Sequence, residues 1–436
     1  MNGESLSEVA LRTRRRIAWR LLPFLILLYM VAYIDRVNVG YAKLRMADEL
    51  AFSDAVYGFG AGIFFIGYVL LEIPGTLLVE RWSARLWISR IMISWGLIAV
   101  LTGFIQNKTH FYCARFLLGL GEAGFFPGII VYLSHWFRAE DRAKAVALFV
   151  TAIPVSGIFG APLSGLIMDR NWLGLAGWRW VFILEGIPAV ILGITVLFYL
   201  TDRPHKAKWL RDDERAWIVG ELEREKQSKA HHHARDWWKA LKEPAVLLLT
   251  LAYFCAVTGQ YGFNLWLPTM IKSLSGLPNL LVTLLAALPF CVALIALVFV
   301  GWSSDRRRER IWHTASMMLL AAVALFGTAQ ANNSLQFSLI LFCLVCAGVY
   351  GFVPSFWALP TRYLTGSAAA AAIGLINSLG NVGGFVGPYI VGEIRDRTHS
   401  HLSGMLFLSI MLVCGAAAIL SLKWSAAPAR RDDAAA

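Results

Sequence analysis

Residues 121–128 read "GEAGFFPG" and residues 348–355 read "GVYGFVPS", sharing two glycines, a phenylalanine and a proline at corresponding places. The offset between them, about 226 residues, recurs along the chain. "TLLVERWSAR" (76–85) falls on "GWSSDRRRER" (301–310), each with an acid followed by arginine. Phe159 and Ala161-Pro162 fall on Phe385 and Gly387-Pro388, and Asn38 falls on Asn264. Matches that share one offset describe a duplicated chain, so the fold is two copies of one unit.

That unit is apolar. Of 436 residues, 58% are hydrophobic and 16% charged, whereas a soluble domain carries about 25% charged residues. Twelve weakly charged stretches, each near the ~20 residues that cross a hydrocarbon layer as helix, lie at 17–40, 55–79, 86–106, 110–137, 143–168 and 178–200, then at 245–272, 278–302, 311–330, 335–360, 367–392 and 402–424. Continuous apolar runs containing Gly and Pro suit helices better than short alternating barrel strands. The expected fold is an all-α polytopic membrane protein with twelve transmembrane helices in two pseudo-symmetric six-helix bundles. The expected divisions are a cytoplasmic N-terminal tail (1–16), a first bundle (17–200), a central loop (201–244), a second bundle (245–424) and a C-terminal tail (425–436). Parallel repeats of this kind place a substrate site between the bundles at mid-depth.

Orientation follows from the basic residues. Placing both termini in the cytoplasm puts most of the 40 Lys and Arg on that side, as the positive-inside rule requires. The net charge of +12 is then a topogenic signal, and its dispersal over short loops argues against nucleic acid as a partner. The arginine cluster before the first apolar run lacks a small-residue cleavage site after it, so that run reads as an uncleaved span. The central loop holds "DDERAWIVGELEREKQ", whose i,i+4 opposite charges predict a surface helix; the loop is expected to be a tether. The six cysteines fall within spans, and Cys343-x-x-Cys346, with no companion ligands, reads as packing. No metal or bound cofactor is expected, and no enzyme activity.

Charged residues inside spans are functional candidates because their insertion is costly. Asp35 and Arg36 are adjacent, point about 100° apart on a helix and need not pair. Arg36, always charged and forked, suits bidentate capture of a carboxylate, while Asp35 can be neutralised by a proton. Neither has a charged counterpart in the second half, where "TGQYGFNLWLP" (258–268) replaces "VAYIDRVNVGYA" (31–42). A second centre is Arg115-x-x-x-Gly119-x-x-Glu122. Both charges share one face about 10.5 Å apart. Glu122, whose counterpart is Val349, is the second candidate proton carrier. Arg115 is its expected charge partner, or holds the cytoplasmic side. Gln260 and Asn264 share a face of the seventh span. Glu72 and Glu185, beside Pro74 and Pro188, are expected to satisfy local backbone or arginines and are left out of the site.

The paired loop signatures, Glu80-Arg81 with Arg85 and Asp305-Arg306, resemble the motif of the major facilitator superfamily after its second and eighth spans, with Thr76, Ser83 and Arg308 at its usual glycines. Further segments, among them "YIDRVNVGYA", "ARFLLGLGEAGFFPG", "GWRWVFILEGIPA", "FWALPTRYL" and "INSLGNVGGFVGP", resemble the anion:cation symporter family of organic-anion permeases over most of the chain. The resemblance implies proton-coupled uptake of a sugar acid, a tartrate-like acid or an aromatic carboxylate by alternating access, with the proton as coupling ion. It implies a monomer in a bacterial inner membrane, and substrate contacts at Tyr33, Arg36, Tyr68, Trp357 (after a broken "GVYGFVPSFW" helix) and Asn377. It also implies proton coupling at the Asp35–Arg36 segment. Efflux by proton antiport is the alternative within the superfamily; "SGIFGAPLSG" loosely resembles the antiporter signature, but efflux of hydrophobic cations gives Arg36 no role. A membrane sensor or enzyme would need an attached soluble domain or catalytic cluster, and the sequence supplies neither.

Overall fold

The computed structural model describes residues 6–81, 83–229, 243–328, 334–363 and 366–425. The first half comprises α1 (Leu6–Glu49), α2 (Asp54–Arg81), α3 (Ala84–Thr102), α4 (Lys108–Glu122), α5 (Phe125–Ser134), α6 (Ala139–Val150), α7 (Ala152–Met168) and α8 (Gly177–Tyr199). After α9 (Asp212–Lys229) the second half comprises α10 (Pro244–Ser275), α11 (Asn279–Arg307), α12 (Ile311–Thr328) and α13 (Leu335–Trp357), then α14 (Gly366–Asn381), α15 (Gly383–Thr398) and α16 (His401–Ser425). Eleven stretches among the described residues are long and apolar enough to cross a membrane as helix. The twelfth expected span, 367–392, is divided at Val382 into α14 and α15, each too short alone. Glycines at 380, 383 and 384 flank that break, where helix propensity is lowest.

The fourth span is also discontinuous, and here the sequence reading is corrected. The break lies after Glu122, not in "GVYGFVPSFW", which continues as α13 to Trp357 with Pro354 inside it. Gly124 adopts φ +82°, a left-handed conformation that glycine enters without Cβ strain. One residue type thus ends α4 at the candidate proton carrier. Nearby, Gly119 lets α4 abut α2, since a Cβ there would collide with the Phe64 carbonyl.

Two further expectations change. The N-terminal segment assigned as a tail is already helical from Leu6. The central loop does more than connect. Arg12 pairs with Asp213 and bonds Glu214 at 3.0 Å, and Arg16 bonds the other Glu214 oxygen at 2.9 Å. Arg138 and Arg142 reach Glu221 and Glu225 at 3.3 and 3.2 Å. These pairs fasten α9 to the first half. Burial pushes the Glu214 carboxyl up, but the Arg211 N–H and the guanidiniums of Arg12 and Arg16 outweigh it and hold the group below its ordinary value of 4.5. A depressed carboxylate stabilises the folded state above the unfolded value and loses that contribution as pH falls. Amide exchange in 212–229, corrected for its intrinsic pH dependence, is therefore expected to accelerate below about pH 4.5, and Glu214→Gln to exchange faster than wild type at neutral pH.

The loop motifs cap helices. Ser83 accepts from Leu86 N–H at the start of α3 and donates to Asp202 at 2.8 Å, while Arg85 bonds the Leu197 carbonyl at 3.1 Å. Asp305 bonds Arg310 at 2.5 Å, and Arg306 lies over the Trp302 ring. The side chains of Glu80 and Arg81 lie outside the described residues, as do His231–His233. Arg308 ends α11 at φ +52°, where an L-residue costs roughly 1–2 kcal/mol. Arg308→Gly should therefore raise stability by about 1 kcal/mol, read as an upward shift in thermal unfolding of the purified protein.

The halves meet firmly at the face opposite the termini. Lys43, 5% exposed, bonds Asp54 at 2.7 Å and sits 3.6 Å from the centre of the Trp266 ring. Arg395 reaches the same Asp54 oxygen at 3.2 Å, and Asp396 accepts from the Asp54 N–H at 3.2 Å. Tyr57 donates to the Leu265 carbonyl at 2.8 Å, and Asn279 bonds Asp169 at 2.7 Å. Each of these ties except Lys43–Asp54 joins first-half to second-half residues.

Candidate functional site

The centre of the interface is built around Arg36. On α1 it faces α4, α2 and, across the halves, α10. Its Nη2 pairs with Glu122 Oε1, and its Nη1 donates to Tyr261 Oη at 3.0 Å. The guanidinium lies 5.3–5.5 Å from the rings of Tyr33, Phe64 and Tyr68, a cation–π surround that partly replaces lost hydration. Among the described residues Arg36 Nε has no hydrogen-bond partner. Arg36 and Glu122 are 7% and 1% exposed, so each is the other's principal compensation for burial.

Arg115, the expected charge partner of Glu122, is not its hydrogen-bonded partner among the described residues. Glu122 pairs with Arg36, because the break after α4 and the turn of α1 bring those two together, whereas Arg115 and Glu122 are separated along one rigid helix. Arg115 instead lies 5.1 Å from the Phe64 ring and offers Nη2 to the Arg36 carbonyl at 3.4 Å. By chain direction it lies nearer the face opposite the termini.

Asp35 points away from Arg36, as adjacent helix positions require. It accepts from Trp95 Nε1 at 2.7 Å and from Asn38 Nδ2 at 3.4 Å, both neutral donors within the first bundle. A polar chain crosses the halves beside Arg36. Gln260 reaches Tyr33 Oη at 3.5 Å, Tyr33 meets Tyr350 Oη at 3.4 Å, and Asn264 donates to Tyr350 Oη at 2.7 Å. Trp357 ends α13 and packs edge-on against Tyr253 and Phe356 at 5.0 and 5.3 Å.

Asn377 is joined to a residue that sequence reasoning set aside. Its amide donates to Glu72 Oε1, and Ser378 Oγ donates to Glu72 Oε2 at 3.0 Å. Glu72 therefore reaches across the halves, beyond the local role expected of it. Glu185 does stay within its bundle, accepting from Ser164 at 2.7 Å. Tyr261 and Tyr350 were also missed. The repeat held a signal for the first, since Tyr261 occupies the position matching Asp35.

Two pseudo-symmetric bundles around a buried, asymmetric polar centre define a transporter rather than an enzyme. The family signature described as Major Facilitator Superfamily matches residues 25–388, and the chain belongs to that superfamily. It is 47% identical over 421 residues to the "Putative tartrate transporter" of Agrobacterium vitis, covering 96% of each chain. It is 38% identical over 406 residues to the "Quinolone resistance transporter" of Acinetobacter baumannii, covering 92% of each. Among solved structures, a bacterial homologue of the human lysosomal transporter Spinster, inward-facing and unoccupied, superposes with a TM-score of 0.76 at 17% identity, covering 94% of this chain and 97% of that one. That likeness is one of fold. The protein is a multi-pass membrane transporter.

Proposed function

We propose that the protein imports a small organic anion together with protons across a bacterial inner membrane, with both termini cytoplasmic. The carrying observation is the Arg36 guanidinium, buried between the halves, with Glu122 on one nitrogen, Tyr261 on another and Nε unpartnered. An incoming carboxylate competes with Glu122 for the fork. Glu122 can leave Arg36 at low cost only by taking a proton, since a buried carboxylate stripped of its cation is strongly destabilising. Anion and proton are then linked through one arginine. Asp35, held by neutral donors, is the second proton station. With both carboxylates neutral and Arg36 matched to the cargo, the Arg36 cluster itself carries no unbalanced charge while the halves rock.

The relative named for tartrate supports an anionic cargo; the one named for quinolone resistance keeps efflux as the second reading. Uptake into proteoliposomes under an imposed pH gradient, screened over sugar acids, tartrate and aromatic acids, separates them. Accumulation of an anion driven by inward protons is expected. Accumulation of none of these, with outward drug movement in exchange for protons, overturns the symport reading.

A further inference from the structure

Glu72 is a carboxylate that the proposed cycle does not use, yet it is buried between the halves close to the Arg36 cluster. It lies on α2 one helical turn beyond Tyr68, whose ring stacks on Arg36. Residues four apart lie on one face, displaced along the axis by about one turn. From there Glu72 reaches across the halves to Asn377 and Ser378, and it is 4% exposed. Its two oxygens accept from one amide and one hydroxyl. A group entering between α2 and α14 must therefore offer hydrogens in place of these. Hydroxyls and ammonium groups do so. A second carboxylate brings only acceptors and a like charge into a weakly screened interior.

We infer that Glu72 determines cargo specificity: for an acid long enough to extend from Arg36 past Tyr68, it selects a far end bearing hydrogen-bond donors and rejects one bearing a second carboxylate. This rests on the anion-binding reading of Arg36 and narrows it to hydroxylated or amino monocarboxylates among longer cargo. Shorter acids that stop at Tyr68 are not subject to this selection.

Gluconate and glucarate provide the test, since they share a six-carbon polyol chain and differ at the far end by a hydroxymethyl against a carboxylate. Ligand-induced thermal stabilisation of the purified full chain, read alongside competition for proteoliposome uptake, gives apparent affinities even where a variant does not transport. Wild type is expected to favour gluconate at least tenfold. Glu72→Gln, which keeps the size of the side chain but removes its charge and turns one acceptor into a donor, should narrow that ratio threefold or more by strengthening glucarate. An unchanged ratio in Glu72→Gln, a wild-type preference for glucarate, or no response of wild type to either acid overturns the inference. The parent reading fails separately, when tartrate and aromatic acids also drive no response in wild type.

Discussion

Arg36→Lys is expected to lower proton-driven uptake by about tenfold to hundredfold while leaving the protein folded. The positive charge is retained, so a purely electrostatic seat would survive the change. The structure gives Arg36 three tasks that a point charge cannot share: Nη2 to Glu122, Nη1 to Tyr261 across the halves, and Nε directed at neither. A lysine ammonium offers one donor centre on a flexible stem and cannot grip a carboxylate bidentately. Weakening a buried ion pair costs about 3–5 kcal/mol when one partner is lost outright, and half of that range already corresponds to a tenfold to hundredfold effect. The readout is twofold. Uptake should collapse, and stabilisation of the protein by added anion should disappear, while basal thermal unfolding moves by only a few degrees. Uptake within threefold of wild type would remove Arg36 from the substrate site.

The architecture was legible because two signals are global. Hydrophobic runs of membrane-spanning length and an offset shared by distant segments survive any uncertainty about individual side chains. The site was legible in part for the same reason: Asp35, Arg36 and Glu122 are charges in an apolar background, and they lack counterparts in the second half. What the sequence could not convey was partnership. Arg115 and Glu122 share a helix face, so the obvious pair was within one helix, but Gly124 ends that helix and Glu122 turns to α1. Glu72 beside Pro74 looked like a local backbone feature, because its partners at 377 and 378 lie on the other half of the chain. Tyr261 and Tyr350 were hidden among aromatics that elsewhere fill the core. The α9 clamp was invisible for a related cause, since i,i+4 charges along a surface helix look alike whether they bond each other or a neighbouring helix.

Glu122→Gln should separate binding from energy coupling. The glutamine amide is isosteric with the carboxylate and can still place its oxygen against Arg36, so the fold of α4 and its join with α1 persist. It can no longer gain or lose a proton. In the wild type the carboxylate must be neutralised before Arg36 is released to the cargo, and that requirement ties each anion to a proton. In the variant Arg36 is available without protonation. Exchange of external for internal labelled anion at equal concentrations, which moves no net protons, is expected to continue at a rate within about tenfold of wild type, since the retained hydrogen bond leaves a change of about 0.5–1.5 kcal/mol. Accumulation against a gradient should fall to the equilibrium level, and the pH dependence of exchange should flatten. Asp35→Asn gives the contrasting case. Its carboxylate bonds Trp95 and Asn38 inside the first bundle and does not touch Arg36, so its replacement should weaken accumulation without increasing the anion's hold on Arg36. Proton-driven accumulation by Glu122→Gln at the wild-type level would mean that the Arg36–Glu122 pair is structural and that the proton travels elsewhere.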